Sequence, residues 1–240
     1  MIQGADLASI TALIGDPSRA SILFALLGGE ALPATELARR AHVTPQTTSA
    51  HLARLLHGNL IKVTKIGRHR YYSLKNDEVA QMLEVLQRMA PPSKSVLTGK
   101  YNVPQDLCHA RTCYDHLAGK LGVAFTNALV AQAYMVQAEE DYLVTPKGID
   151  LLERWQIDVE ALKQQRRKFA YACLDWSERR FHLAGSLGAA ITQVFFENGW
   201  IKRMPQSRAL NITRIGEQVL KQDFNIDLPD AAFMSSAVKK

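Results

Sequence analysis

One continuous stretch of this chain has no acidic residues: between Leu37 and Asn76 there is not a single Asp or Glu. Long apolar runs are missing too. None approaches the ~18 residues that a membrane-spanning helix needs, so no membrane partner is expected. Cysteines are scarce: three in 240 residues, an odd number that forms no disulfide framework and points to a reducing cytoplasm. Met1 to Ile14 carry Asp6 and no basic leader, so a secretory signal is not expected. There is no Gly-rich phosphate loop, no nucleophile elbow and no acidic residue clearly placed to orient a histidine, all of which argues against an enzyme.

Positive charge fills the acid-free stretch. Arg39, Arg40, Arg54, Lys62, Lys65, Arg68, Arg70 and Lys75 lie in it, more than the formal +6 of the whole chain, so the remainder is net negative. His42, His51, His57 and His69 lie there as well. A surface this one-sided repels itself unless it meets a polyanion, and neutralising phosphates releases their condensed counterions. The alternative is a solvated basic face with no partner. At 47% hydrophobic and 22% charged, the composition suits a globular protein of one large or two ordinary domains.

Helical spacing places Leu7, Ile10, Leu13 and Ile14 on one stripe. Asp16-Pro17 reads as a cap and first helical position for a second helix, with Ile22, Leu23, Leu26 and Leu27 inward and Gly28-Gly29 as its stop. Pro33-Ala34-Thr35 opens a third helix. Thr44-Pro45 opens a fourth, running to about His57 with Leu52, Leu55 and Leu56 inward. Two β-like runs, 60–65 and 69–74, are joined by Ile66-Gly67-Arg68. A fifth helix spans Asp77 to Met89.

Helix, helix, turn, helix and basic hairpin make a winged helix-turn-helix. Asp16-Pro17-Ser18-Arg19 before Ile22-Leu23 resembles the second helix of ArsR-type bacterial repressors. Val43 to Leu55, with Ser49-Ala50-His51-Leu52 in the Ser-x-His-Leu pattern, resembles their recognition helix. Gly67-Arg68-His69-Arg70-Tyr71-Tyr72 resembles their wing. The resemblance covers residues 5–90 and implies a cytoplasmic, nucleoid-associated regulator that binds double-stranded DNA as a homodimer. The thiols common in the third helix of the family's metal sensors and the histidines in the last are missing here. The family's metal sites are therefore not expected, nor is a cofactor, though a small-molecule or thiol-reactive effector is.

The expected fold class is mainly α with small β-hairpin wings (α+β). The domains are a winged helix-turn-helix at 1–90, a linker at 91–106 and a mainly helical sensing or dimerisation domain at 107–240. The last contains a repeat. His116-Leu117-Ala118-Gly119-x-Leu121-Gly122 returns as His182-Leu183-Ala184-Gly185-x-Leu187-Gly188, and Thr145-x-x-Gly148 as Thr213-x-x-Gly216. Two winged-helix-like lobes follow, at about 107–158 and 173–228, joined by a linking helix from Val159 to Trp176.

On the recognition helix, Gln46, Thr47, Ala50, His51 and Arg54 face outward as candidate base contacts: Gln46 for adenine, Thr47 for a thymine methyl, Arg54 for guanine or phosphate. Thr44 and Ser49 offer hydroxyls to phosphates, although Thr44 also suits a cap and Ser49 a packing position. Lys65, Arg68, His69 and Arg70 surround the wing turn, with Arg68 placed for a minor groove. Beyond residue 106, His109, Cys113 and His116 stand at i, i+4 and i+7 of an expected helix. That stripe suits signal sensing, but three donors with no fourth favour an organic or thiol-reactive signal over a metal. Cys173 is expected in packing. Three readings stay open: a regulator, in particular a repressor released by a signal and reading a palindrome; an enzyme using Cys113 and a histidine; and a nonspecific architectural DNA binder.

Overall fold

The computed structural model describes residues 7–90, 105–205 and 207–228. The chain forms two compact units, Met1–Val103 and Pro104–Lys240. The expected linker at 91–106 lies almost wholly outside the described residues.

The first unit contains α1 (Leu7–Ile14), α2 (Pro17–Ala25), β1 (Leu32–Pro33), α3 (Ala34–Ala41), α4 (Pro45–His57), β2 (Ile61–Ile66), β3 (His69–Leu74) and α5 (Asp77–Met89). The Asp16-Pro17-Ser18-Arg19 quartet ends one helix and starts the next. Asp16 accepts a hydrogen bond from the Arg19 backbone N–H at 2.9 Å and caps α2. The Arg19 side chain turns back, and its Nε and Nη2 donate to the carbonyls of Leu13 and Ala12 at 2.7 and 2.8 Å. Those carbonyls end α1 and have no helical partner of their own. Thr44 and Asn76 cap α4 and α5 in the same way as Asp16 caps α2. Ile22, Leu23, Leu26, Leu37, Leu52, Leu55 and Tyr72 form the buried centre. β1 pairs Leu32 with Tyr72, adding a third strand to the wing sheet. Two residues carry no readable alternation, so the sequence does not announce that strand.

The second unit runs α6 (Gln105–His109), β4 (Arg111–Cys113), β5 (His116–Ala118), α7 (Gly119–Ala131), β6 (Met135–Ala138), β7 (Asp141–Val144), α8 (Pro146–Arg154) and α9 (Val159–Lys163). It continues β8 (Tyr171–Leu174), β9 (Phe181–Ala184), α10 (Gly185–Glu197), β10 (Ile201–Arg203), β11 (Leu210–Ile212) and α11 (Arg214–Phe224). Two sequence expectations are corrected. The helix expected to carry His109, Cys113 and His116 ends at His109, and a β-hairpin follows. The linking helix expected from Val159 to Trp176 stops at Lys163, and Tyr171–Leu174 is a strand. In both places a run of three or four strand residues is too short to outweigh a helical pattern.

The order hairpin, helix, hairpin, helix occurs twice, yet the two halves do not stand apart as lobes. β6–β7 of the first half joins β8–β9 of the second in one four-stranded sheet. In return, the start of β11 in the second half meets the start of β4 in the first through an isolated bridge: Arg111 bridges Ala209, and Leu210 N–H donates to the Ala110 carbonyl at 2.8 Å. Leu121, Phe125, Leu187 and Phe195 fill one shared core. The repeated glycines answer to backbone. Gly119 and Gly185 start helices directly from strands at φ +73 and +91, with the Cys108 and Phe169 carbonyls 2.7 and 2.5 Å from where a Cβ would lie. A side chain there would be both strained and blocked. In Thr-x-x-Gly, the threonine caps a helix by accepting from the glycine N–H, at 3.0 Å for Gly148 and 3.1 Å for Gly216. A Cβ on those glycines would strike the carbonyl oxygen of Tyr134 or Trp200.

Candidate nucleic-acid interface

α4 has one face turned inward, built from Thr48, Leu52 and Leu55. Thr48 is polar, but its hydroxyl donates to the Thr44 carbonyl at 2.9 Å, so its burial leaves no unmet donor. The opposite face exposes Gln46, Thr47, Ser49, Ala50 and Arg54. Thr44 accepts from the Thr47 N–H at 3.2 Å, and the two hydroxyls lie 2.9 Å apart. Thr44 therefore caps the helix while remaining exposed. Ser49 donates to the Pro45 carbonyl at 2.9 Å and its oxygen keeps acceptor capacity outward. His51 is only half-exposed. It belongs to the edge of the packed face more than to the exposed one.

The wing extends from the same unit. β2 and β3 pair through Lys65 with Arg70 and Ile66 with His69, closing over Gly67 and Arg68. Gly67 adopts φ +60, the left-handed conformation such a tight turn requires. Lys65, Arg68, His69 and Arg70 are all exposed, whereas Tyr72 and Leu74 are buried. Alternation thus anchors the base of the wing in the core and leaves its tip to solvent.

The eight cations of the acid-free stretch are not equivalent. Glu36, one residue before that stretch, accepts from Arg39 Nε at 2.9 Å and from Arg40 Nε at 2.6 Å. Hydrogen bonds from Arg39 and then Arg40 hold the Glu36 carboxyl down at about 2. The other six, Arg54, Lys62, Lys65, Arg68, Arg70 and Lys75, are exposed on α4 and the wing or just beyond it. That arrangement, an exposed polar helix face beside a cationic hairpin, suits a major groove and its flanking phosphates.

The three residues expected as a sensing stripe are dispersed and regrouped. His109 ends α6, half-buried. Cys113 and His116 face each other across the β4–β5 hairpin and are both buried. Cys173 and His182 face each other in the same way across β8–β9. The expectation that no fourth donor is at hand is corrected, because Cys173 and His182 lie against Cys113 and His116. The repeat, which pairs His116 with His182, was the signal that could have found them.

A family model described as a helix-turn-helix domain matches residues 14–64. This interval runs from the end of α1 into β2, so it takes in the whole of α4. Over 223 residues the chain is 42% identical to the "uncharacterized HTH-type transcriptional regulator YdfF" of Bacillus subtilis (strain 168), covering 93% of this chain and 99% of that protein. The chain belongs to the HTH-type transcriptional regulators, and its DNA-binding unit is a winged helix-turn-helix. Among solved structures it is similar to HlyU from Vibrio cholerae N16961 at 29% identity, over 37% of this chain and 97% of that one, with TM-score 0.34. It is also similar to NolR from Sinorhizobium fredii at 26% identity, over 36% and 85% of the two chains, with TM-score 0.33. Among the described residues no helix is long and apolar enough to cross a membrane.

Proposed function

We propose that this regulator is a homodimeric repressor that reads a palindromic operator and is released by a signal received in its second unit. The observation that carries the DNA-reading part is the pairing of the exposed α4 face with the acid-free wing. In this reading Gln46, Thr47, Ala50 and Arg54 meet base edges, while Thr44, Ser49, Lys65, Arg68, His69 and Arg70 hold the backbone. Lys65→Ala and Arg68→Ala are expected to weaken binding to operator and random duplex alike, lowering the salt slope by about one unit per lost phosphate contact. Gln46→Ala is expected to relax preference at one base position by about 1–3 kcal/mol. Binding titrations over a salt series measure both. Equal losses on both duplexes for Gln46→Ala would place base readout elsewhere.

Support for the dimer comes from apolar surface. Nothing on α1 is buried; Leu7 on that helix and Val85, Leu86 and Met89 on α5 are exposed. A single winged helix covers one half-site, and two-fold pairing supplies the second. The double variant Leu86→Glu, Met89→Glu is expected to sediment as a monomer and to lose cooperative operator binding while keeping its helical content. An unchanged sedimentation coefficient would remove α5 from the interface.

A further inference from the structure

Where the two halves of the second unit meet, four polar side chains are enclosed that DNA reading does not use. Cys113 and His116 are register partners on β4 and β5, and Cys173 and His182 are register partners on β8 and β9. Each half thus presents one thiol and one imidazole from its leading hairpin. Their exposures are 5%, 3%, 5% and 1% in that order. One ligand atom from each lies within 4.8 Å of every other, and the two Nε2 atoms are 3.1 Å apart.

The outer sides of the two imidazoles show how they are oriented. His116 Nδ1 lies 3.5 Å from Asp115 Oδ1, and His182 Nδ1 lies 3.3 Å from Asp175 Oδ2. Both carboxylates are bound to arginine, Asp115 to Arg167 and Asp175 to Arg111, so both are ionised and can only accept. A proton on each Nδ1 suits these charge contacts, although the His182–Asp175 contact lacks hydrogen-bond geometry. That choice turns a lone pair on each Nε2 inward, toward the other, at a separation where two lone pairs repel. A carboxylate behind each histidine, fixing its tautomer and leaving Nε2 free to ligate, is the outer shell of a metal-binding imidazole.

We propose that Cys113, His116, Cys173 and His182 hold one zinc-class divalent cation in a closed tetrahedral site that ties the two halves of this unit together. Two nitrogen and two sulfur donors are a zinc donor set. Bond lengths of about 2.0 and 2.3 Å give tetrahedral edges of about 3.3–3.8 Å, so closing the cluster from its longest separation of 4.8 Å takes a contraction of about 1–1.5 Å. On binding, the two thiols release their protons to solvent, and two thiolates balance the divalent charge. The neutral centre can then sit in a buried place where an unpaired cation could not. With all four positions filled by protein, no site remains for an activated water, so the metal's contribution is to structure and to occupancy-dependent state.

The test uses the full-length chain, expressed without a polyhistidine tag in zinc-supplemented medium and desalted. Elemental analysis is expected to give one zinc per chain, and absorption at the zinc K edge a first shell of two sulfurs and two nitrogens. Cys113→Ser and Cys173→Ser are each expected to lose the stoichiometric zinc, and Cys108→Ser to keep it. In protein stripped by a chelator and refilled with cobalt(II), a sulfur-to-metal charge-transfer band is expected in wild type and not in the two variants. Asp115→Asn is expected to lower zinc affinity by about 10–100-fold. Should the cysteine variants fail to fold, the wild-type edge spectrum decides alone. Folded, reduced wild type that retains no zinc overturns the proposal, as does a sulfur number other than two. A Cys113–Cys173 disulfide mapped in cells lysed into a thiol-blocking reagent also overturns it.

Discussion

Arg111→Met is expected to destabilise the second unit by about 3–5 kcal/mol, the cost of leaving one member of a buried ion pair behind. Arg111 and Asp175 are 1% and 0% exposed, and Nη2 donates to Oδ2 at 2.8 Å. Nη1 donates to the Leu107 carbonyl at 2.9 Å and to Ser177 Oγ at 3.1 Å, while the guanidinium lies 4.2 Å from the Trp176 ring centre. Burial alone pushes the Asp175 carboxyl up. His182, Arg111 and the Glu178 backbone N–H outweigh it and hold the group well below the usual carboxylate range. Asp175 also accepts from the N–H groups of Gly119 and Ser177 at 2.7 and 2.8 Å, so it keeps polar partners without Arg111. Those bonds place the expected loss nearer the lower end. Arg111→Lys recovers only part, since one ammonium cannot span the positions a planar fork reaches. The measurement is a urea midpoint followed by tryptophan fluorescence. Trp155, Trp176 and Trp200 are the only tryptophans and all lie in the second unit, so the signal reports on that unit alone. A loss under about 1 kcal/mol would mean that Asp175 is sustained without its ion pair.

Phe195→Ala is expected to cost a similar amount, about 3–5 kcal/mol, for a different reason. Phe195 is 0% exposed. Its ring stands edge-on to Phe125 and Trp200, with centroids 5.0 Å from each, and 6.4 Å from Trp155. Removing it takes a ring from a cluster to which both halves contribute, and backbone fixed by two sheets limits how far the gap can close. Phe195→Leu should cost clearly less, because most of the volume is kept. If alanine and leucine cost the same, the loss is not one of packing volume. Operator binding by folded protein at low temperature separates this effect from any on the DNA-binding unit.

The DNA-binding unit was largely legible because its signals are local. Asp16, Thr44 and Asn76 are caps whose side chains accept from residues three positions on, and α4 runs from Pro45 to His57 as its periodicity implies. Its single missed strand, Leu32–Pro33, exists through pairing with Tyr72 forty residues away. The second unit was legible in its repeat and not in its meaning. Cys113 and His116 fit a helical spacing as well as a hairpin, and only strand pairing decides between them. The two Cys–His pairs have unequal spacings, three residues and nine, because the loop between β8 and β9 is longer. What joins them is a meeting of two hairpins that no local pattern records. Glu36 shows the converse: counted as a neighbour of the basic stretch it looks incidental, but it engages two of the eight cations.

The reciprocal pairing of the halves sets a timetable for synthesis. All the elements of the winged helix have been made once α5 has emerged. The outer edge of β4 cannot make its one bridge until the residue leading into β11 follows, because Arg111 waits for Ala209. At ribosomal rates of about 5–20 residues per second, that edge stays open for about 5–20 s on every nascent chain. During that interval every element of the DNA-binding unit has been made, while the unit behind it still exposes an unpaired strand edge to its neighbours on the polysome.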